Sequence, residues 1–186
     1  MENSQEDQPI YFPQELFLRT NIKDEEYLCI GYSWYSKQLY AMREPSLYQE
    51  TGNDIETYRF TWLRTFHNPI VIRISRQRDT FSIILKLCDG LGGYEPGNLV
   101  VNLTRTISHQ EWEKFQSHLS TIDFWSMETS DDVIGFDGAD WVLEGKNDGL
   151  YRLVTRWKPN HNISYYQCCD YLIQLAGLVI PDNEKY

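Results

Sequence analysis

A chain of 186 residues with 41% hydrophobic and 15% aromatic content can bury one core, and its aromatic content excludes wholesale disorder. The net charge of −10 repels phosphate backbones and sets nucleic acid aside as a partner. No apolar run approaches the roughly 20 residues needed to span a bilayer, and residues 1–9 lack signal-peptide character, so a cytoplasmic protein without membrane contact is expected.

Residues 1–9 read as a disordered acidic lead-in, and residues 10–186 as a single globular domain. Trp34, Tyr35, Gln38, Leu39 and Met42 recur at helical spacing, with Ser33 available as a cap and Pro45 as a stop, which predicts a helix over 34–43. A turn is expected at 51–54, followed by a strand-rich stretch over 57–66, 70–76, 81–88 and 99–104. Ile70, Ile72 and Ile74 alternate with Val71, Arg73 and Ser75, and Ile83 and Leu85 with Ile84 and Lys86. That period of two indicates antiparallel strands with one buried face.

Ser108-His109-Gln110-Glu111 is a capping box, and Ile107 with Trp112 forms a hydrophobic staple, so a helix is expected over 108–120. Residues 127–136 are acidic and loop-like. Two further strands, 141–144 and 151–157, are joined through Asp148-Gly149, a hairpin-turn signal. A last helix is expected over 163–176, with Gly177 just past its end. The fold class is therefore α+β: one domain, a largely antiparallel sheet of five to six strands, and the helices packed on one face.

Four segments, Tyr58 to Pro69, Asp89 to Gly97, Asp137 to Gly145 and Tyr151 to Pro159, together with Glu44-Pro45-Ser46-Leu47, resemble a family of bacterial hypothetical proteins. The resemblance spans about residues 34–186 and implies one fold unit but no activity. Where that family usually carries Gln before the Trp of the third segment, this chain has Asp140.

Several constellations invite a chemical reading. Gly90-Leu91-Gly92-Gly93 could cradle a phosphate only if it opened a helix; between two strands it reads as a connection. Asp137 and Glu144, with Arg156 and His67, are the catalytic candidates of a hydrolase-like carboxylate and arginine site. Their simpler reading pairs Glu144 with Arg152 or Arg156 across the hairpin, and places Trp141, Leu143, Tyr151, Leu153 and Trp157 on the opposite face. Arg73, Lys86, Arg152 and Arg156, with Asn102 and Glu144, are then expected along one polar sheet face, a candidate binding surface. The four histidines, His67, His109, His118 and His161, follow no metal-ligand spacing, and Cys29, Cys88, Cys168 and Cys169 read as reduced thiols. No metal and no cofactor is expected. The resulting expectation is a non-enzymatic protein that binds a protein partner, in the manner of an inhibitor or immunity protein, with the hydrolase-like site as the alternative.

Overall fold

A computed structural model describes residues 9–17, 25–51, 54–131, 133 and 135–186, with residues 25–30 described by backbone alone. Residues 1–8 of the lead-in, two residues of the 51–54 turn and the side chain of Cys29 lie outside these described residues.

Six strands form one antiparallel sheet: β1 (Ile55–Arg64), β2 (Ile70–Gln77), β3 (Thr80–Cys88), β4 (Leu99–Thr106), β5 (Ala139–Asn147) and β6 (Leu150–Trp157). Their order is β4-β3-β2-β1-β5-β6, so β1 and β2 occupy the centre and β4 and β6 the edges. Three helices complete an α+β domain: α1 (Glu25–Ala41), α2 (His109–Thr121) and α3 (Ser164–Leu175).

Side-chain alternation divides the strand residues between two packed faces. On the first, Tyr58, Phe60 and Trp62 of β1 join Ile70, Ile72 and Ile74 of β2 and Trp141 and Leu143 of β5. Trp112, Phe115 and Leu119 of α2 and Tyr165, Cys168 and Leu172 of α3 close over them. On the second, Leu63, Val71, Val142 and Leu153 pack with Tyr11, Phe12, Tyr35, Leu39 and Met42. The helices therefore do not share one face: α2 and α3 cover the first, while α1 and residues 11–12 cover the second. The expectation of a single helical layer fails because the second face carries Arg73, Lys86 and Glu144, which read as solvated positions, together with Arg59. They are paired instead, and pairing lets a helix cover them.

α1 also begins nine residues before the expected start, which places Ser33 inside the helix rather than at its cap. Arg43, at φ 51°, turns the chain out of it two residues past Ala41. α2 begins as its sequence demands. The Glu111 amide donates to Ser108 Oγ at 3.2 Å, and the Ser108 amide donates to Glu111 Oε2 at 2.7 Å. Ser108→Ala is expected to destabilise the protein by about 1 kcal/mol, since one helix-start amide loses its acceptor. An unchanged urea midpoint would contradict that role. α3 ends in a Schellman motif, with the Leu178 amide donating to the Ile173 carbonyl at 3.2 Å and the Gly177 amide to Gln174 at 2.9 Å.

The β5–β6 hairpin corrects a second expectation. Asp148 (φ 45°) and Gly149 (φ 78°) form the two-residue turn, and Asn147 pairs with Leu150. Across such a turn an odd-numbered residue opposes an even-numbered one. Trp141 therefore faces Arg156, Leu143 faces Val154, and Glu144 faces Leu153. Arg152 and Arg156 lie on the face of Trp141 and Leu143, while Tyr151, Leu153 and Trp157 share the face of Asp140 and Glu144. Reading both strands with one parity had reversed β6.

Candidate functional site

The sequence candidates separate into distinct environments. Glu144 is fully buried on the α1 face of the sheet, and its partner is Arg59 rather than Arg152 or Arg156. Arg59 Nε and Nη2 donate to Glu144 Oε2 and Oε1 at 2.7 and 2.8 Å, a two-pronged pair, and the Tyr151 hydroxyl donates to Oε1 at 2.9 Å. Arg59 Nη1 also reaches the Pro45 carbonyl at 2.6 Å and Glu44 Oε2 at 3.4 Å. Glu44 gathers Arg73 Nε at 2.9 Å and Lys86 Nζ at 2.7 Å, and Lys86 donates to the Arg43 carbonyl at 2.8 Å.

Electrostatics favour the charged forms of Glu44 and Arg59. Burial alone would raise the Glu44 pKa, but Arg59, Arg73 and Lys86 outweigh it and hold it below the ordinary carboxylate value. Burial opposes the charge on Arg59 too, and Glu144 and Glu44 more than offset it, raising its pKa. Arg73 and Lys86 are thus committed to fastening the chain after α1 onto the sheet. They do not line a free binding surface.

Arg156 lies on the opposite face from Glu144. Its guanidinium donates to the carbonyls of Thr155, Glu128 and Thr129, sits 5.5 Å from the Tyr165 ring centroid, and approaches Asp131 at 3.7 Å. Arg152 donates to the Met127 carbonyl at 3.2 Å on the same face. Asp137 is exposed in a loop, at φ 56°. The sheet stands between Glu144 and Arg156, so Asp137, Glu144 and Arg156 do not converge. Among the described residues no group of three or more His, Cys, Asp or Glu is placed to hold a metal, and no helix is long and apolar enough to cross a membrane. Cys88, Cys168 and Cys169 are buried and unpaired, and burial pushes the Cys168 thiol up to about 12, leaving little thiolate at neutral pH.

Asp140 is different in kind. It lies on the α1 face, where burial pushes its carboxyl up to about 6 and a hydrogen bond from the Tyr35 hydroxyl only partly offsets that. A raised carboxyl pKa favours the protonated folded state, so stability is lost as pH rises from 3.8 to about 6. Asp140→Asn is expected to raise stability by about 1–3 kcal/mol at pH 7.5. The gain should vanish below about pH 3, where Asp140 is protonated in both folded and unfolded chains. Denaturation at the two pH values checks this; an equal effect at both would contradict it.

His67 belongs to the remaining region, one end of the sheet where several loops meet. There the turn at residues 65–69, the loop at 89–98, the approach to β5 at 135–138 and the C-terminal residues are joined by backbone and side-chain hydrogen bonds. The Thr65 amide and hydroxyl donate to the Gly138 carbonyl at 2.9 and 3.0 Å. The Gly92 amide donates to the His67 carbonyl at 2.8 Å, and the Gly93 amide to Thr65 at 3.2 Å. Asn68 Nδ2 reaches the Gly90 carbonyl at 3.0 Å, and Gln38 of α1 reaches the Tyr94 carbonyl at 3.2 Å from the other side. His67 Nδ1 contacts the Tyr186 hydroxyl at 2.7 Å, and the Tyr186 carbonyl accepts from the indoles of Trp62 and Trp141 at 3.2 and 3.0 Å.

The glycine loop is therefore a brace. A Cβ on Gly92 would lie 2.6 Å from the Arg64 carbonyl oxygen, and one on Gly93 2.7 Å from the Thr65 Cα. Only glycine lets the two backbones approach this closely. The amides of Gly90, Leu91, Gly92, Gly93 and Tyr94 all donate to carbonyls, so none is left to hold a phosphate.

On this braced backbone stand three aromatic side chains that strand alternation did not single out. Phe66 and Tyr94 are 52% and 54% exposed with ring centroids 6.4 Å apart, and Phe136 is 88% exposed. Thr65 precedes Phe66 and bonds to Gly138, two residues from Phe136, so the backbones that carry the three meet at the same end of the sheet. Their signal was available: Phe66-His67-Asn68-Pro69 and Gly93-Tyr94-Glu95-Pro96 set large rings inside turns, where no sheet face can bury them. No protein-family model matches this chain, and comparison with curated proteins finds no match either.

Proposed function

We propose that this is a protein-binding protein of the inhibitor or immunity kind, and that it holds its partner against the aromatic end of the sheet. The observation that carries this reading is the exposure of Phe66 and Tyr94 on a backbone fixed by the Gly92 and Gly93 hydrogen bonds. Aromatic rings on a rigid frame offer large contact area at little entropic cost, and such rings dominate binding energy where they are desolvated. The net charge of −10 favours a partner with a basic surface and accelerates its approach.

The paired variant Phe66→Ser/Tyr94→Ser tests this. Wild type and variant, immobilised, are exposed to the host's own cytosol, and the retained protein is purified and its affinity for each is measured. The expected result is a direct complex weakened roughly thirtyfold or more by the variant, with an unchanged thermal midpoint. A partner bound equally by both proteins would overturn the assignment of this surface.

A further inference from the structure

The two edges of the sheet are finished differently. Outside β6, residues 128–131 supply cover: the Thr155 amide donates to the Thr129 carbonyl at 2.6 Å, Ser130 bridges Thr155, and Arg156 clasps the Glu128 carbonyl. Outside β4, among the described residues, no amide from beyond the sheet bonds to residues 100–106. An antiparallel edge strand turns the N–H and C=O of every second residue outward, which makes it a template for another strand.

β4 also lacks the features that blunt such an edge. It has no proline and no lysine, and its register shift is confined to its start, opposite Leu87 and Cys88. Its one charge, Arg105, is drawn aside by the Leu175 carbonyl and lies 3.8 Å from Glu111. Leu103 is 62% exposed and Val100 55%.

We propose that β4 pairs antiparallel with β4 of a second copy of this chain, about a two-fold axis at Leu103, making one continuous sheet of twelve strands from two of six. The strand is its own complement in that register. Leu103 meets Leu103, Asn102 meets Thr104, Val101 meets the aliphatic stem of Arg105, and Val100 meets Thr106. Residues of equal parity oppose one another, so Val101, Leu103 and the Arg105 stem align on the face shared with Leu85 and Leu87, and Asn102, Thr104 and Thr106 on the other. No like charges are opposed.

Self-complementarity selects a second copy as the occupant, and charge permits it. Two molecules each carrying −10 repel wherever their acids face one another, and β4 contains no acid.

Sedimentation of the full chain across a dilution series, with Leu103→Lys and Leu103→Asp as separate variants, tests the pairing. Leu103 is exposed, so both are expected to keep the wild-type circular dichroism spectrum. Wild type should be a dimer at the higher concentrations, and each variant should dissociate at least about tenfold more readily, because like charges then meet on the axis. Mixing the two variants should restore the dimer, since Lys then opposes Asp. A wild type that stays monomeric throughout would overturn the proposal and leave the edge to a foreign strand. Variants that dimerise as well as wild type, or a mixture that stays monomeric, would overturn it equally.

Discussion

Replacing Arg59 with Met should destabilise the protein by about 3–5 kcal/mol, because it strands Glu144 and weakens the hold on Glu44 where neither can be solvated. Arg59 has no exposure to solvent, and neither carboxylate has any at its side chain. The cost arises from the charges left behind more than from the interaction lost, so a second substitution should recover part of it. Arg59→Met/Glu144→Met removes both members of the two-pronged pair and is expected to be more stable than Arg59→Met alone. Equilibrium unfolding in urea at neutral pH checks both. A double variant less stable than the single one would show that Glu144 keeps a partner strong enough without Arg59. The same network makes a pH prediction. The lowered Glu44 pKa contributes stability above its unfolded value of 4.5 and loses it as pH falls through the folded value, so acid should loosen the α1 side of the sheet.

Trp141→Ala should destabilise by a similar amount, about 3–5 kcal/mol, by a different route: a cavity in the first face of the sheet. The Trp141 ring is fully buried, with centroids 5.2, 5.0 and 4.8 Å from Phe60, Trp62 and Tyr166. Its indole donates to Tyr186 and its carbonyl accepts from Tyr165 at 2.8 Å, so truncation also frees one hold on the C-terminal residues. Trp141→Phe should recover much of the volume but not the indole bond. Thermal or urea unfolding of the two variants separates the packing loss from the lost hydrogen bond. If Trp141→Phe were as destabilising as Trp141→Ala, the bond to Tyr186 would outweigh the packing.

The strands, the start of α2 and the end of α3 were legible because each rests on local chemistry. Alternation in β2 and β3, the Ser108–Glu111 box and Gly177 need no tertiary information. The second sheet face was not legible for a specific reason. Arg59, Arg73, Lys86 and Glu144 alternate with apolar residues as solvated positions do, and only their mutual pairing shows that they are covered. Sequence alone cannot show that Glu44, from the chain after α1, arrives to neutralise three cations. The candidate site failed at the same point: Glu144 and Arg156 were brought together by a parity that the two-residue turn at Asp148-Gly149 reverses. Phe66 was passed over because it was read as the end of a strand that in fact stops at Arg64, and Tyr94 because its turn was read as a connection. A large ring between turn residues has no strand face to enter, and that is a signal of exposure. The cost of Asp140 was hidden too, since it depends on α1 and its Tyr35 lying above the carboxyl.

Amide hydrogen exchange at Gly92 and Gly93 tests most directly whether the aromatic end is a fixed surface. Their amides are bonded to His67 and Thr65, across from the strand end that carries Arg64. The expected result is exchange that opens only with the sheet itself, with protection matching the amides of β1 and β2. Exchange at the rate of an unprotected chain, while β1 and β2 remain protected, would mean that Phe66 and Tyr94 stand on a mobile loop, and would contradict the rigid recognition surface.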